Sequence, residues 1–324
     1  MSDTLAVVIL NWNGKSWLEK FLPTVMRHSV QAKVYVIDNA STDDSILYLQ
    51  KYFPEVEIVV NPTNAGFAAG YNQGLQHIEA EHYCLLNSDV EVSEGWLEPV
   101  LHLFKSDRAI AAIQPKVLNY HQKDQFEFAG AAGGLLDNLG FPYCRGRIFE
   151  KIEKDKGQYN SNAQIFWASG CCLFIRSQEF HEMGGFDERF FAHQEEIDLC
   201  WRLQNAGKKI YYCADSTVYH VGGGTLTKEN PRKTYLNIRN NLSMLAKNLP
   251  ADRLFPVIFS RLVLDAFTAF YFGLKLGPKH FIAVLKGHFG FYGMLPENFK
   301  RRQKKQITHY YSEKWLVFKS FLGK

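Results

Sequence analysis

Leu5-Ala6-Val7-Val8-Ile9-Leu10 is an unbroken apolar run that stops at Asn11-Trp12-Asn13-Gly14. A surface helix would interrupt such a run with polar positions, so it fits a parallel strand covered on both faces. The pattern recurs. Val34-Tyr35-Val36-Ile37 ends at Asp38-Asn39, residues 56–60 form a third run, and Tyr83-Cys84-Leu85-Leu86 ends at Asn87-Ser88-Asp89. Helical stretches are expected between them, over 15–28, from the capping residues Ser41-Thr42-Asp43-Asp44 to Tyr52, and over 66–77. Strand and helix alternating in this way predict an α/β fold with a mostly parallel sheet flanked by helices. Polar residues follow the C-terminal ends of the strands, where ligands bind in open α/β sheets.

The stretch 114–164 is less regular and is expected to form loops and short strands on the acceptor side. Residues 171–176 are expected to be a strand, 195–206 a helix, and 209–213 and 217–220 two short strands. A division follows, with a catalytic domain over 1–245 and a helical extension over 246–324. Residues 254–276 are rich in Phe, Leu, Val and Tyr, but Arg261, Asp265 and Lys275 interrupt them. A charge at the centre of a spanning helix costs about 3 kcal/mol, so a clean membrane span is not expected. With the basic cluster Lys300-Arg301-Arg302 and Lys304-Lys305 downstream, the extension suits an anionic membrane surface; the alternative is a packed helical domain with a solvated basic tail.

Charge excludes one class of partner: a net charge of +4 in 324 residues gives no case for nucleic acid. The six cysteines form no C-x-x-C pair and lie in apolar runs, so they are expected to be buried thiols in a reducing compartment. No basic segment precedes the first apolar run, so a cytoplasmic location is expected.

Several residues carry candidate chemistry. Asp38, closing a strand, suits either a nucleoside or a turn. Asn64-Ala65-Gly66 and Gly70-Tyr71-Asn72 form a glycine-rich helix entry of the kind that approaches phosphate. Asp89 offers carboxylate oxygen to a hard divalent ion, and His220, closing a strand before Gly222-Gly223-Gly224, is its best partner. Glu195-Glu196-Ile197-Asp198 is the densest acidic cluster. Glu195, Asp198 and Arg202 share a helix face, with Glu196 about 100° away. Crowding or burial raises a carboxyl pKa and makes it a usable base.

These pieces occur together in one order, and the chain resembles glycosyltransferase family 2, in particular its rhamnosyltransferase-like branch with a GT-A fold. The likeness lies in Val8-Ile9-Leu10-Asn11-Trp12-Asn13-Gly14, Val36-Ile37-Asp38-Asn39-Ala40-Ser41-Thr42-Asp43 and Asn64-Ala65-Gly66-Phe67-Ala68-Ala69-Gly70-Tyr71-Asn72-Gln73-Gly74. It continues through Leu85-Leu86-Asn87-Ser88-Asp89, Gly184-Gly185-Phe186-Asp187-Glu188, Glu195-Glu196-Ile197-Asp198-Leu199, His220-Val221-Gly222-Gly223 and Arg239-Asn240.

The resemblance implies that Asn11, Asp38, Asn64, Gly66, Gly70, Asn72, Asn87 and Ser88 bind the donor nucleotide. It implies that Asp89 and His220 hold Mg²⁺ or Mn²⁺, that Glu196, with Glu195 and Asp198 beside it, supplies the base, and that Trp167, Gly185, Phe186 and Asp187 shape the acceptor pocket. Two positions depart from the family: Asn87 replaces the first acid of the metal motif, and Glu196 replaces the usual Asp. The implied activity is inverting transfer of a sugar from a dTDP-rhamnose or UDP-hexose type donor to a glycan or lipid-linked acceptor. The implied setting is cell-surface polysaccharide synthesis at the inner face of a bacterial membrane. A catalytically silent sugar-nucleotide-binding subunit is the alternative. A Rossmann dehydrogenase is disfavoured because no G-x-G-x-x-G follows the first strand.

Overall fold

The four apolar runs lie side by side in one sheet. A computed structural model describes residues 4–222, 230–316 and 319; Gly223 and Gly224 of the glycine run fall outside them. Strands β1 (Leu5–Asn11), β2 (Lys33–Asp38), β3 (Glu57–Val60) and β4 (His82–Asn87) are parallel, in the order β4-β1-β2-β3. Helices α1 (Lys15–His28), α2 (Ser45–Tyr52) and α3 (Gly66–Gly74) make the crossovers. Register puts Asp38 beside Asn11, and Leu10 beside Asn87, so the polar strand ends form one rim.

Beyond β4 the sheet turns mixed. After β5 (Val90–Val92) and α4 (Glu98–Ser106) comes β6 (Ile110–Asn119). A separate four-stranded sheet follows, made of β7 (Gly134–Leu136), β8 (Pro142–Cys144), β9 (Arg147–Ile148) and β10 (Lys151–Ile152). The main sheet is completed by β11 (Ala163–Ile165), β12 (Cys172–Arg176) and β13 (Lys209–His220), with α5 (Ser177–Glu182) and α6 (Glu195–Asn205) between the last two. Strand β12 runs antiparallel to both β4 and β6, β13 is parallel to β6, and β5 and β11 pair antiparallel with β13. The fold is α/β as expected, and its nine-stranded sheet is mixed, with the antiparallel pairs gathered around β12 and β13. The two short strands expected over 209–220 are one strand, with a register shift between Cys213 and Thr217.

All six cysteines are free and buried, as their apolar surroundings suggested. The chain ends in three long helices: α7 (Pro231–Asn248), α8 (Ala251–Leu276) and α9 (Pro278–Lys300). Helix α7 runs straight through position 245. Its Ile238, Leu242 and Ala246 pack with Ala269 of α8 and Val284 and Phe291 of α9 in a small core of their own. Helix α8 is long and apolar enough to cross a membrane.

Candidate active site

The rim begins at the β1 and β2 ends. Asn11 and Asp38 are fully buried, and the Asn11 amide donates to Asp38 Oδ2 at 3.0 Å and to Ser41 Oγ at 3.2 Å. The second Asp38 oxygen accepts the Ser41 backbone N–H at 2.8 Å. Both carboxylate oxygens thus have partners inside the protein, and Asp38 shapes the turn 38–44. Asn11 Oδ1 is buried without a partner. A Cβ on Gly14 would strike that same atom and come within 3.7 Å of Ser88 Oγ, which ties the first turn to the polar end of β4.

The glycine-rich entry is closed. The first backbone N–H groups of α3, those of Phe67 and Ala68, both donate to the Phe191 carbonyl at 2.8 and 3.3 Å. The Gly66 N–H goes to Asn64 Oδ1 at 3.0 Å. Gly66 has φ +91°, and a Cβ there would sit 2.6 Å from Phe191 O. These N–H groups therefore already have partners, and a helix N-terminus attracts an anion through N–H groups that are open. Gly70 lies against Leu10 and Asn39, and Asn61 bonds its carbonyl, so Gly70 too is a packing position. Asn72 is likewise engaged. Its amide donates to Phe186 O at 2.9 Å and Glu188 Oε1 at 3.0 Å, and it accepts Phe186 N–H at 2.9 Å. It pins the 184–187 turn to α3.

At the other end of the rim Asp89 and His220 meet. Val221 N–H bonds Asp89 O at 3.1 Å, and His220 faces Val90 across the β5–β13 ladder. His220 Nε2 lies 3.2 Å from Asp89 Oδ1, and Nδ1 lies 3.4 Å from Glu127 Oε1. All three side chains are buried. Burial works against the His220 proton, but Cys171, then Glu127 and the bond to Asp89, outweigh it and hold the imidazole well above its ordinary value. For Asp89, burial pushes the pKa up, yet the His220 bond pulls it below the usual carboxylate range. A carboxylate and an imidazole converging in this way match the donor chemistry of a divalent ion. Among the described residues no cluster of three His, Cys, Asp or Glu side chains is arranged to hold a metal. Asp89 and His220 would therefore share an ion with ligands from a bound diphosphate or water.

The acids of α6 part company. Glu196 is half-buried, with Oε2 unpartnered, and it lies beside Gly170, where a Cβ would sit 3.8 Å from its carboxyl carbon. The next residue, Cys171, accepts the Asn87 N–H at 2.9 Å, so Glu196 stands close to the end of β4. Burial pushes the Glu196 carboxyl up to about 7, against nearby backbone N–H groups, including that of Ile197, that favour its charge. Glu195 is more deeply buried. Burial first, and then the Glu196 charge, push it well above the normal range.

Asp198 is spent inside the fold. Its oxygens take Arg202 Nε at 2.8 Å, Lys247 Nζ at 2.9 Å and Asn248 Nδ2 at 2.9 Å. Lys247, almost fully buried, also donates to Asp187 Oδ2 at 2.6 Å, and Arg189 holds Asp187 through Nε at 2.9 Å. Trp167 and Phe186 are buried too. Trp167 Nε1 bonds Leu135 O at 3.0 Å, and the Phe186 ring lies against Phe67, Tyr71 and Phe180. Gly185, at φ +67°, backs onto Asn72. The residues expected to line the acceptor pocket are thus each engaged in contacts within the fold.

The missing part is the loop before α6. Phe191, His193 and Gln194 have φ of 66°, 71° and 74°, a left-handed backbone that L-residues rarely hold unaided. Asn240 and Arg239 of α7 hold it there. The buried Asn240 amide donates to the carbonyls of Phe190, Ala192 and His193 at 3.0, 2.9 and 2.8 Å, and Arg239 reaches Arg189 O at 2.8 Å. His193 Nε2 is unpartnered, and burial lowers its pKa to about 4, so the imidazole is neutral near physiological pH. Neither Glu127 nor His193 was found from sequence. Glu127 comes from the irregular stretch and meets His220 only in three dimensions, and His193 precedes the acidic cluster without a pattern of its own.

The model of glycosyl transferase family 2 matches residues 6–183. The N-acetylglucosaminyl-diphospho-decaprenol L-rhamnosyltransferase of Mycobacterium tuberculosis is 25% identical over 239 residues, covering 68% of this chain and 76% of the relative. Among solved structures, S. aureus TarS 1–349 in complex with UDP-GlcNAc superposes with a TM-score of 0.60 at 12% identity, over 92% of this chain and 84% of that one. GalNAc-T7 with UDP, GalNAc and Mn²⁺ gives 0.60 at 17% identity, over 76% of this chain and about half (48%) of that one. These two likenesses establish a shared fold.

Proposed function

The chain belongs to glycosyl transferase family 2, and from that premise we propose that it moves a sugar, with inversion, from a dTDP-rhamnose or UDP-hexose type donor to a glycan or lipid-linked acceptor. It is a glycosyltransferase. The acceptor class follows the activity of the mycobacterial relative, and cell-surface polysaccharide synthesis at the inner membrane face is the corresponding setting.

The reading rests on Glu196, which has an unpartnered oxygen and a pKa of about 7 and adjoins Gly170, next to the Cys171 that bonds Asn87 at the end of β4, and on the Asp89–His220 pair that follows that strand. A base is most effective when its pKa lies near the working pH. In the proposed reaction Glu196 takes the acceptor hydroxyl proton as the acceptor oxygen bonds to the anomeric carbon. The bond from that carbon to the diphosphate oxygen breaks on the opposite face. Asp89 and His220 would hold Mg²⁺ or Mn²⁺, which when bound supplies positive charge beside the diphosphate. Asn11, Asn87 and Ser88 face the donor from the strand ends. Asp38, Asn64, Gly66, Gly70 and Asn72 serve the donor side by holding its loops. Glu195 and Asp198 support the base, Glu195 as its buried neighbour in the first turn of α6 and Asp198 by anchoring that helix. Trp167, Gly185, Phe186 and Asp187 back the acceptor wall.

The test is release of nucleoside diphosphate by purified protein from a panel of nucleotide-sugars with Mn²⁺ or Mg²⁺. Release should accelerate with acceptor and vanish in Asp89→Ala. Tight donor binding without transfer to any acceptor would favour the silent-subunit alternative instead.

A further inference from the structure

Helix α8 is amphipathic in the reverse of the usual sense. Between Arg253 and Lys275 its two charged residues are Arg261 and Asp265, and both are buried, at 3% and 2% exposure. Arg261 donates to Leu139 O at 3.2 Å and Asn241 Oδ1 at 2.5 Å and lies 3.7 Å from the Phe141 ring centroid. Asp265 pairs with Arg261 at 3.8 Å and with His288 of α9 at 3.3 Å. The charges that interrupt the apolar sequence therefore bolt α8 to the β7–β8 region, to α7 and to α9. Its apolar side chains point the other way: Phe255, Phe259, Phe267, Phe270 and Leu274 are exposed at 78%, 59%, 70%, 64% and 91%. At 100° per residue they fall on one arc of the helix, opposite Arg261 and Asp265. Phe289 of α9 adds a further exposed ring at 73%.

A contiguous aromatic face of this kind marks an interaction surface. Its surroundings identify the partner. Lys275, Lys279, Lys286 and Lys300 are exposed on the same two helices, against two acids that reach solvent, Asp252 and Glu297, the latter paired with Lys300. Exposed rings flanked by lysines are the composition of a helix lying in the headgroup layer of an anionic bilayer. A spanning orientation is incompatible with these contacts, because α8 would have to tear Arg261 and Asp265 from their partners. We infer that α8 and α9 form an in-plane docking face through which the folded enzyme sits on an anionic lipid surface, with the α8 phenylalanines inserted and α8 remaining packed on the catalytic domain. The inference stands apart from the identity of the sugar or acceptor.

Flotation of the full chain with phosphatidylcholine vesicles, with and without phosphatidylglycerol, tests it. The protein should float with the anionic vesicles, more weakly with neutral ones, and less at high salt. The triple variant Phe259→Glu/Phe267→Glu/Phe270→Glu should bind at least about tenfold less, because three apolar groups leave the lipid. Its nucleotide-sugar turnover in solution should stay at the wild-type value and its melting temperature should fall only slightly, since these rings are largely exposed, with Phe270 resting on the half-buried Phe281 of α9. Lys279→Glu/Lys286→Glu should remove the preference for anionic vesicles. Absence of flotation with either vesicle, or unchanged flotation of the triple variant, would overturn the inference. So would sedimentation showing a stable dimer that the triple variant dissociates, because a second copy would then cover the face. Lipid binding is read without any transfer step, so its failure is separate from failure of the glycosyltransferase reading.

Discussion

Replacing Glu196 by Gln should inactivate the enzyme and make it more stable. The folded-state pKa of Glu196 is about 7, against 4.5 for the unperturbed group. Between those values the folded protein holds a proton that the unfolded chain releases, so stability falls as pH rises through this window. At about 1.4 kcal/mol per unit, the penalty is absent at pH 4 and reaches a ceiling of about 3 kcal/mol by pH 8. Gln carries no charge at any pH and escapes it. It also frees Glu195 from a like charge, which matters because Glu196 is the second cause of the upward push on Glu195 after burial. Against this, Gln weakens the backbone N–H bonds that favour the carboxylate. Urea unfolding at pH 8 should show a gain of about 1–3 kcal/mol over wild type, shrinking to near zero at pH 4. Turnover should fall by about 10²- to 10⁴-fold, the contribution typical of a general base. In wild type, kcat/KM should rise with pH through about 7 as the base loses its proton. A variant no more stable than wild type at pH 8 would refute the burial argument, and one that keeps its turnover would remove Glu196 from the chemistry.

Three further substitutions probe the support around the site. Lys247→Met should cost about 1–3 kcal/mol in chemical denaturation, because the buried carboxylates of Asp187 and Asp198 lose a shared cation while keeping Arg189 and Arg202. Asn240→Ala removes the donor shared by three carbonyls of the left-handed loop; kcat should fall about 10- to 100-fold with little change in donor KM, as expected when a catalytic group is displaced slightly. Gly185→Ala places a Cβ against Asn72 at a positive φ and should lower stability by about 1–3 kcal/mol, visible as a drop in melting temperature.

The parallel half of the sheet was legible because strands buried on both faces must be apolar throughout, as β1 and β2 are. Strand β6 was not, and the reason is local. It carries Gln114, Pro115 and Lys116 in its middle, residues that normally argue against a central strand. The fold absorbs each. Gln114 bonds Gly130 O and Ser169 N–H, Lys116 pairs with Asp155, and Pro115, which has no N–H to donate, falls beside the register shift in β13. Such partners come from distant sequence and leave no periodic trace. In the site, Asp89, His220 and Glu196 were legible as polar residues at element ends. What sequence could not separate was a motif residue facing the ligand from one holding the motif in place. Asn72, Asp187 and Asp198 are of the second kind, and their charges and amides are met by Phe186, Arg189, Lys247 and Arg202. The Arg239-Asn240 pair gains its meaning only when α7 is seen gripping the loop 189–193.

The central claim is that Asp89 and His220 mark the diphosphate position and Glu196 the acceptor side of a single cleft. Its most direct test is a crystal structure of the protein with a nucleoside diphosphate and Mn²⁺, recorded with anomalous scattering. One manganese peak should appear at the diphosphate beside Asp89 and His220, with the Glu196 carboxyl group across the sugar position from it. A nucleotide bound away from the ends of β1 and β4, or a manganese site lacking Asp89, would contradict it.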